Sequence, residues 1–318
     1  MRLAEVYAAR QRIRPWVIRT PTIKSVTLSK MTGGEVWLKL ENRQLTGSFK
    51  VRGALNRMAM LSPEDKQCGV VTASSGNHAL GVAYAAKTLG VKATIVVSSN
   101  APEVKKEAIK ALGSELHIHG AHYMEARNYA AELAETRNLV FISAYNDLGI
   151  IAGQGTVGLE MIEDTPDLEK LIVPVGGGGL ISGVATVWKE ASDVEVVGAQ
   201  TKASPAMSES VIAGRVVEVP LSNTIAEGLH GGLEKDPITL SICRKLVDSW
   251  VTVGEEGIRD AVRFMVLKQH EVVEGAGAVC VAALMENLDQ FKGLRVGVVV
   301  SGSNIDESRL KQILCGAS

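Results

Sequence analysis

Lys50 lies in the stretch ENRQLTGSFKVRGA, directly after Phe49 and close to the turn formers Thr46, Gly47 and Ser48. Those residues read as the cap and first turn of a helix running from about Ser48 to Leu61. A cation near a helix start meets the positive end of the macrodipole, which slightly disfavours it. An ordinary lysine, with a pKa of about 10.4, is mostly charged and therefore a poor nucleophile. A reactive amine here needs shielding from water, whereas a surface lysine would lose little by lying elsewhere.

Three further clusters follow apolar runs. After VVT come Ser74, Ser75, Gly76, Asn77 and His78. Two hydroxyls, an amide and the free N–H groups of a helix N-terminus make a cup for a carboxylate. Capping by Ser75 or Asn77 explains one polar side chain but not this many. After LIVPV come four consecutive glycines, Gly176 to Gly179, then Leu180. Bare backbone amides there can converge on an anion. No Lys-Ser or Lys-Thr follows, which excludes a nucleoside-triphosphate loop. The Gly177, Gly179, Gly183 spacing mimics a dinucleotide fingerprint only loosely, because the next strand ends in Gln200, not in an acid. A single phosphate group is the better guest. The last cluster, after VGVVV, is Ser301, Gly302, Ser303 and Asn304, which taken alone reads equally well as an ordinary strand-to-helix turn.

The elements that must position these residues alternate. Strands are expected at Val36–Leu40, Gly69–Thr72, Ala93–Ser98, Ser114–His119, Leu139–Ser143, Leu171–Val175, Val194–Gln200 and Leu294–Ser301. Amphipathic helices are expected at 77–89, 102–112, 121–136, 149–162, 180–191, 238–247, 256–269, 276–285 and 306–314. Such alternation means parallel sheet with helices on both faces, an α/β fold whose ligands bind at the carboxyl ends of strands. The 318 residues suffice for two domains. Lys and Arg total 34 against 35 Asp and Glu, so no basic field draws nucleic acid. No apolar run reaches membrane-span length, and the N-terminus lacks the apolar core of a signal peptide. Cys68, Cys243, Cys280 and Cys315 form no CxxC pair and read as reduced, which makes the expectation cytoplasmic. His117, His119 and His122 approach ligand spacing without a fourth partner, so no metal site is expected. Lys105, Lys106 and Lys110 read as a solvated helix face.

Together, GSFKVRGA, SSGNHA, GGGGL and SGSNID resemble the motifs of the fold-type II pyridoxal-phosphate enzymes, and within them the threonine/serine dehydratase and serine racemase family. LENRQLTGSFK, IAGQGTVGLE and EGAGAVCVAAL are further family-like stretches. The resemblance implies a two-domain fold like that of the tryptophan synthase β chain: a large cofactor-binding domain of residues 1–68 and 147–318, a small domain of 69–146, and the site between them. It implies pyridoxal 5'-phosphate held by Lys50 as a Schiff base, with Phe49 beside the ring and Asn77 on the 3'-oxygen. Gly176, Gly177, Gly178, Gly179 and Leu180 would bind the phosphate, and Ser301 would contact the ring nitrogen. Ser74, Ser75, Gly76, Asn77 and His78 would hold the substrate, with Lys50 and Ser75 the catalytic candidates. Glu274 and Asn146 fall where the family keeps polar residues near the cofactor. A homodimer is implied by relatives.

The implied activity is dehydration of a β-hydroxy-L-amino acid, L-threonine and/or L-serine foremost, to a 2-keto acid and ammonia. Within the same scaffold the alternatives are a racemase or a dehydratase of hydroxyaspartate, phenylserine or a hydroxyectoine-derived substrate. A non-catalytic sensor binding an amino acid or nucleotide in the cleft is the reading from a different class. Some relatives bind a divalent cation through acids where this chain has Gln200 and Ala206, which disfavours a carboxylate metal site here. The chain ends about one helix after SGSNID, so no regulatory domain for feedback by isoleucine is expected.

Overall fold

The computed structural model describes residues 1–316. Ten strands are present: β1 (Thr22–Lys24), β2 (Glu35–Leu40), β3 (Val70–Ala73), β4 (Ala93–Val97), β5 (Glu115–Ile118), β6 (Val140–Phe141), β7 (Lys170–Pro174), β8 (Glu195–Thr201), β9 (Ser249–Val253) and β10 (Arg295–Val300). They form a six-stranded sheet, β1-β2-β10-β7-β8-β9, and a four-stranded sheet, β5-β4-β3-β6. Among the pairings of these described strands, β1–β2 alone is antiparallel. The central strands are apolar throughout because helices cover both faces of the sheet; Val296, Val298, Val299 and Val300 of β10 are all fully buried.

The chain leaves the large sheet after β2, builds the small sheet and returns. Helix Lys50–Ala59 follows β2 and packs against helices Asn77–Leu89 and Leu148–Asp164. Helices Leu148–Asp164 and Gly179–Ala191 cross backbone to backbone, since a Cβ at Gly183 would overlap the Ile151 carbonyl. Beneath the lysine helix lies a buried ionic cluster. Arg52 donates to Glu41 and to Glu160, and Lys39 donates to Glu160 at 2.6 Å, with all four side chains at most 7% exposed.

The expected elements recur within a few residues, with three kinds of difference. The lysine helix begins at Lys50, with Phe49 as its N-cap and no side-chain cap bond. Thr46 and Ser48 therefore do not cap it; their hydroxyls are buried without partners. Helix 256–269 is Glu255–Phe264 continued by a single π turn, Met265–Gln269, and stopped by His270 at φ 58°. Helices Leu3–Ile13, Val26–Thr32, Pro63–Cys68 and Ala206–Ala213, with strands β1 and β9, lie where no element is expected. Five-residue β9 is a strand because β8 offers it a hydrogen-bonding edge, which a local pattern cannot reveal. Among the described residues no helix is long and apolar enough to cross a membrane.

Candidate active site

Lys50 Nζ donates to the Ala144 carbonyl at 3.0 Å and lies 5.3 Å from the Phe49 ring centre. The side chain is half-buried by surface exposure, yet the cleft walls remove enough water that desolvation dominates. It pushes the amine down to about 8, with the Glu274 carboxylate acting in the opposite sense. A substantial neutral fraction thus exists near physiological pH.

Gly176 to Gly179 form the turn between β7 and helix Gly179–Ala191. Gly178 has φ 85°, and a Cβ on it would lie 2.7 Å from the Met207 Cε. A Cβ at Gly177 would overlap the Tyr145 ring. Thr239 Oγ donates to the Gly177 carbonyl at 2.8 Å, holding the turn from outside. What remains is a side-chain-free rim at a helix N-terminus, the geometry that receives a phosphate.

Gly76 is the N-cap of helix Asn77–Leu89, and no side chain caps it. The Ser74 hydroxyl accepts from the Gly76 N–H at 3.2 Å instead. Capping therefore does not account for Ser75 or Asn77, and the first-turn donors of this helix stay available to a carboxylate. The His78 imidazole does not join that cup. It is buried, its Nε2 sits 3.1 Å from the Ile142 carbonyl, and burial pushes it down to about 3, so it is neutral. Only its backbone N–H faces the turn as part of the helix start.

Asn77 Nδ2 donates to Glu274 Oε1 at 2.6 Å, and Asn77 Oδ1 accepts from Asn304 Nδ2 at 2.7 Å. Desolvation pushes Glu274 up to about 7, against the lowering effects of Asn77, Lys105 and Lys50. Ser301 is buried at the carboxyl end of β10, its hydroxyl only 3.4 Å from the Ala276 carbonyl. The Ser301 carbonyl accepts the Phe49 N–H at 3.2 Å, tying the lysine segment to β10. The carboxyl ends of β3, β7 and β10 and the segment after β2 thus converge on one cleft.

Several other polar residues fall outside this convergence. Asn146 bonds Glu234 at 3.0 Å and the Ile238 N–H at 2.9 Å, closing the 230–238 segment onto the exit from β6. Glu227 pairs with Lys105 and Arg309. The lysine face is only partly solvated. Lys110 is exposed, but Lys105 reaches across to Glu227, and Lys106 is buried on the Ser99 carbonyl and Glu103. His117 bonds Glu115 and Tyr129, and among the described residues no group of His, Cys, Asp or Glu is placed to hold a metal. Gln200 spends its amide on the Ser208 N–H at 2.8 Å and the Ser204 carbonyl.

Sequence reasoning missed Tyr145, Thr239 and the role of Asn304. Tyr145 offered one signal, an aromatic residue in the polar segment SAYN; its ring covers Gly177, and its hydroxyl accepts the Glu234 N–H at 2.7 Å.

Residues 13–302 match the family described as pyridoxal-phosphate dependent enzyme. The L-threonine ammonia-lyase of Thermotoga maritima is 44% identical over 98% of this chain and 78% of its own. Among solved structures, the processed threonine deaminase isoform 2 of Solanum lycopersicum superposes with a TM-score of 0.94 at 34% identity, covering 99% of this chain and 88% of that one. Maize serine racemase gives 0.92 at 35% identity, covering 99% and 97%. With a family match over most of its length and relatives this similar, the chain belongs to the pyridoxal-phosphate dependent enzymes of the threonine/serine dehydratase and serine racemase type.

Proposed function

We propose that this enzyme is an ammonia-lyase converting a β-hydroxy-L-amino acid, L-threonine and/or L-serine, into a 2-keto acid and ammonia. The observation that carries the reading is the Lys50 amine, desolvated to a pKa of about 8 in the cleft onto which the glycine turn opens. The Thermotoga relative, named an L-threonine ammonia-lyase, and the tomato threonine deaminase support the same reaction.

The residues fit the cofactor. There is an amine of lowered pKa, a turn whose space a single Cβ would fill, and a buried hydroxyl at a strand end. We assign Lys50, Phe49, Asn77, Gly176 to Gly179, Leu180, Glu274 and Ser301 to holding it. Bound there, pyridoxal phosphate supplies an aldehyde that captures amines and a conjugated ring that draws electrons from the substrate Cα. The chain does the rest. Ser74, Ser75, Gly76 and the first N–H groups of helix Asn77–Leu89 hold the substrate carboxylate. Lys50 Nζ, neutral in part at working pH, takes the proton from Cα. The β-hydroxyl leaves with a proton as water, and hydrolysis of the unsaturated amine returns that water to give keto acid and ammonia.

The Ser301 hydroxyl favours elimination over transamination. Were Ser301 to face the ring nitrogen of bound cofactor, its hydroxyl would not hold a proton there as a carboxylate would, and the electron sink supplied would be weaker. Elimination tolerates this, because the leaving group carries the electrons away. Residues 69–146, with the four-stranded sheet, are assigned as the small domain, and the remainder as the large one. The enzyme is assigned to the cytoplasm as a homodimer, which light scattering of the purified protein tests.

The deciding experiment mixes purified holoenzyme with a panel of amino acids and measures keto acid, ammonia and optical inversion separately. Equal yields of keto acid and ammonia from threonine or serine are expected. Inversion without keto acid overturns the lyase reading in favour of a racemase.

A further inference from the structure

We propose that Asn304 is a positioning residue that sets the orientation of the Asn77 amide and turns its NH2 group towards Glu274 on the cofactor side of the cleft. The consequence for catalysis rests on the reading of Asn77 as a cofactor ligand; the geometry stands on its own.

The direction of every link follows from one backbone atom. The Thr46 carbonyl can only accept, so the Asn304 side-chain atom 2.9 Å from it is the NH2 nitrogen. That same nitrogen lies 2.7 Å from the side-chain oxygen of Asn77, an acceptor that faces it. The Asn77 nitrogen is therefore on the opposite side, 2.6 Å from Glu274 Oε1. Glu274 cannot impose this alone. As a carboxylate it accepts from the Asn77 NH2, but when protonated it donates equally well to the Asn77 oxygen. Asn304 removes that ambiguity in both protonation states.

The fold clears a path for this chain at two glycines. Gly47 has φ 70°, and a Cβ there would lie 2.5 Å from Asn304 Oδ1. A Cβ at Gly302 would overlap Glu274 Oε1 and come within 3.2 Å of Asn77 Nδ2. The chain also joins four separate segments. Thr46 precedes the lysine, Asn77 heads a helix of the small sheet, Asn304 follows β10, and Glu274 is the N-cap of helix Gly275–Glu286. One NH2 hydrogen of Asn77 serves Glu274, and on the reading of Asn77 as a cofactor ligand the second would be the one to serve the cofactor.

The test uses full-length holoenzyme. Asn304→Asp keeps the volume but offers no donor at neutral pH, and Asn304→Ala removes both functions. Two quantities are read: the visible spectrum of bound pyridoxal phosphate from about pH 6 to about pH 9, and the dissociation constant from titrating apoprotein with pyridoxal phosphate. Both variants are expected to change the spectrum or its pH dependence and to weaken binding roughly tenfold. Folded variants with an unchanged spectrum and a dissociation constant within about twofold of the parent overturn the proposal. If Asn304→Asp does not fold, Asn304→Ser, too short to span both partners, is read in the same way. Neither readout needs substrate, so a parent enzyme inactive on threonine and serine would sink the proposed reaction and leave this inference standing.

Discussion

The amine of Lys50 is hydrogen-bonded to the carbonyl of Ala144 at 3.0 Å, so that amine is tethered to the segment by which the chain leaves the four-stranded sheet. A carbonyl accepts from an ammonium and from a neutral amine alike, so the contact fixes position without enforcing charge. Desolvation then sets the charge, pushing the group to about 8.

Cofactor capture by apoprotein should therefore quicken with rising pH up to about 8 and level off above it, because only the neutral amine attacks an aldehyde. Stopped-flow absorbance after mixing with pyridoxal phosphate reads this directly, and a rate still climbing towards pH 10 would contradict it. Lys50→Ala should fold and fail to be labelled by borohydride. Lys50→Arg should fail too, since a guanidinium stays charged.

Glu274 carries a pH signature of its own. Its folded-state pKa, raised to about 7 from 4.5, means that the folded apoprotein holds more protons than the unfolded chain between those values. By linkage this group's contribution to stability falls as pH rises through that window. Glu274→Gln removes the effect. Urea melts at about pH 5 and about pH 7.5 should find the parent losing stability relative to the variant. The pH-activity profile of the variant should also lose its limb near neutrality.

Within the glycine turn every added Cβ would meet a neighbour, whereas Gly232, outside the turn, has open space around it. Gly177→Ala should lower affinity for pyridoxal phosphate by at least about tenfold, because its Cβ and the Tyr145 ring claim the same space. Gly232→Ala, where no atom lies within 4 Å of the added carbon, should bind normally. Equilibrium titration of the two apoproteins gives the comparison, and equal affinities would argue against the turn as the phosphate site.

Much of this candidate site could be proposed from the sequence because the pattern that suggests it is local. Four glycines in a row, or Ser-Ser-Gly-Asn at a strand end, announce a ligand loop without reference to anything distant. Strand alternation likewise gave the sheets, since a buried parallel strand is apolar along its whole length. What escaped depends on partners far away in the chain. Asn304 matters through Thr46 and Asn77, more than 200 residues off, and Tyr145 through a glycine that has no side chain to advertise the contact. The place of the His78 ring was hidden in the same way, because a carbonyl on β6's exit claims it. Strand β9 exists only because β8 leaves an edge for it.

The ionic cluster under the lysine helix yields the largest expected loss of stability. Arg52 reaches Glu41 with Nε and Nη2 at 2.8 Å each, and Glu160 with Nη1 at 2.7 Å and Nη2 at 2.9 Å. Lys39 supplies the second cation on Glu160, so the cluster balances two positive against two negative charges away from water. Removing one partner of a buried pair costs more than the pair contributes, because the surviving charge is left unsolvated. Arg52→Met should therefore destabilise apoprotein by about 3–5 kcal/mol in urea denaturation. Arg52→Lys keeps the charge but cannot fork to two carboxylates, so it should recover only part of the loss. The double variant Glu41→Gln with Arg52→Met removes one orphaned carboxylate along with the cation. It should be less destabilised than the sum of the two single changes. Strict additivity would mean that Glu41 and Arg52 do not interact.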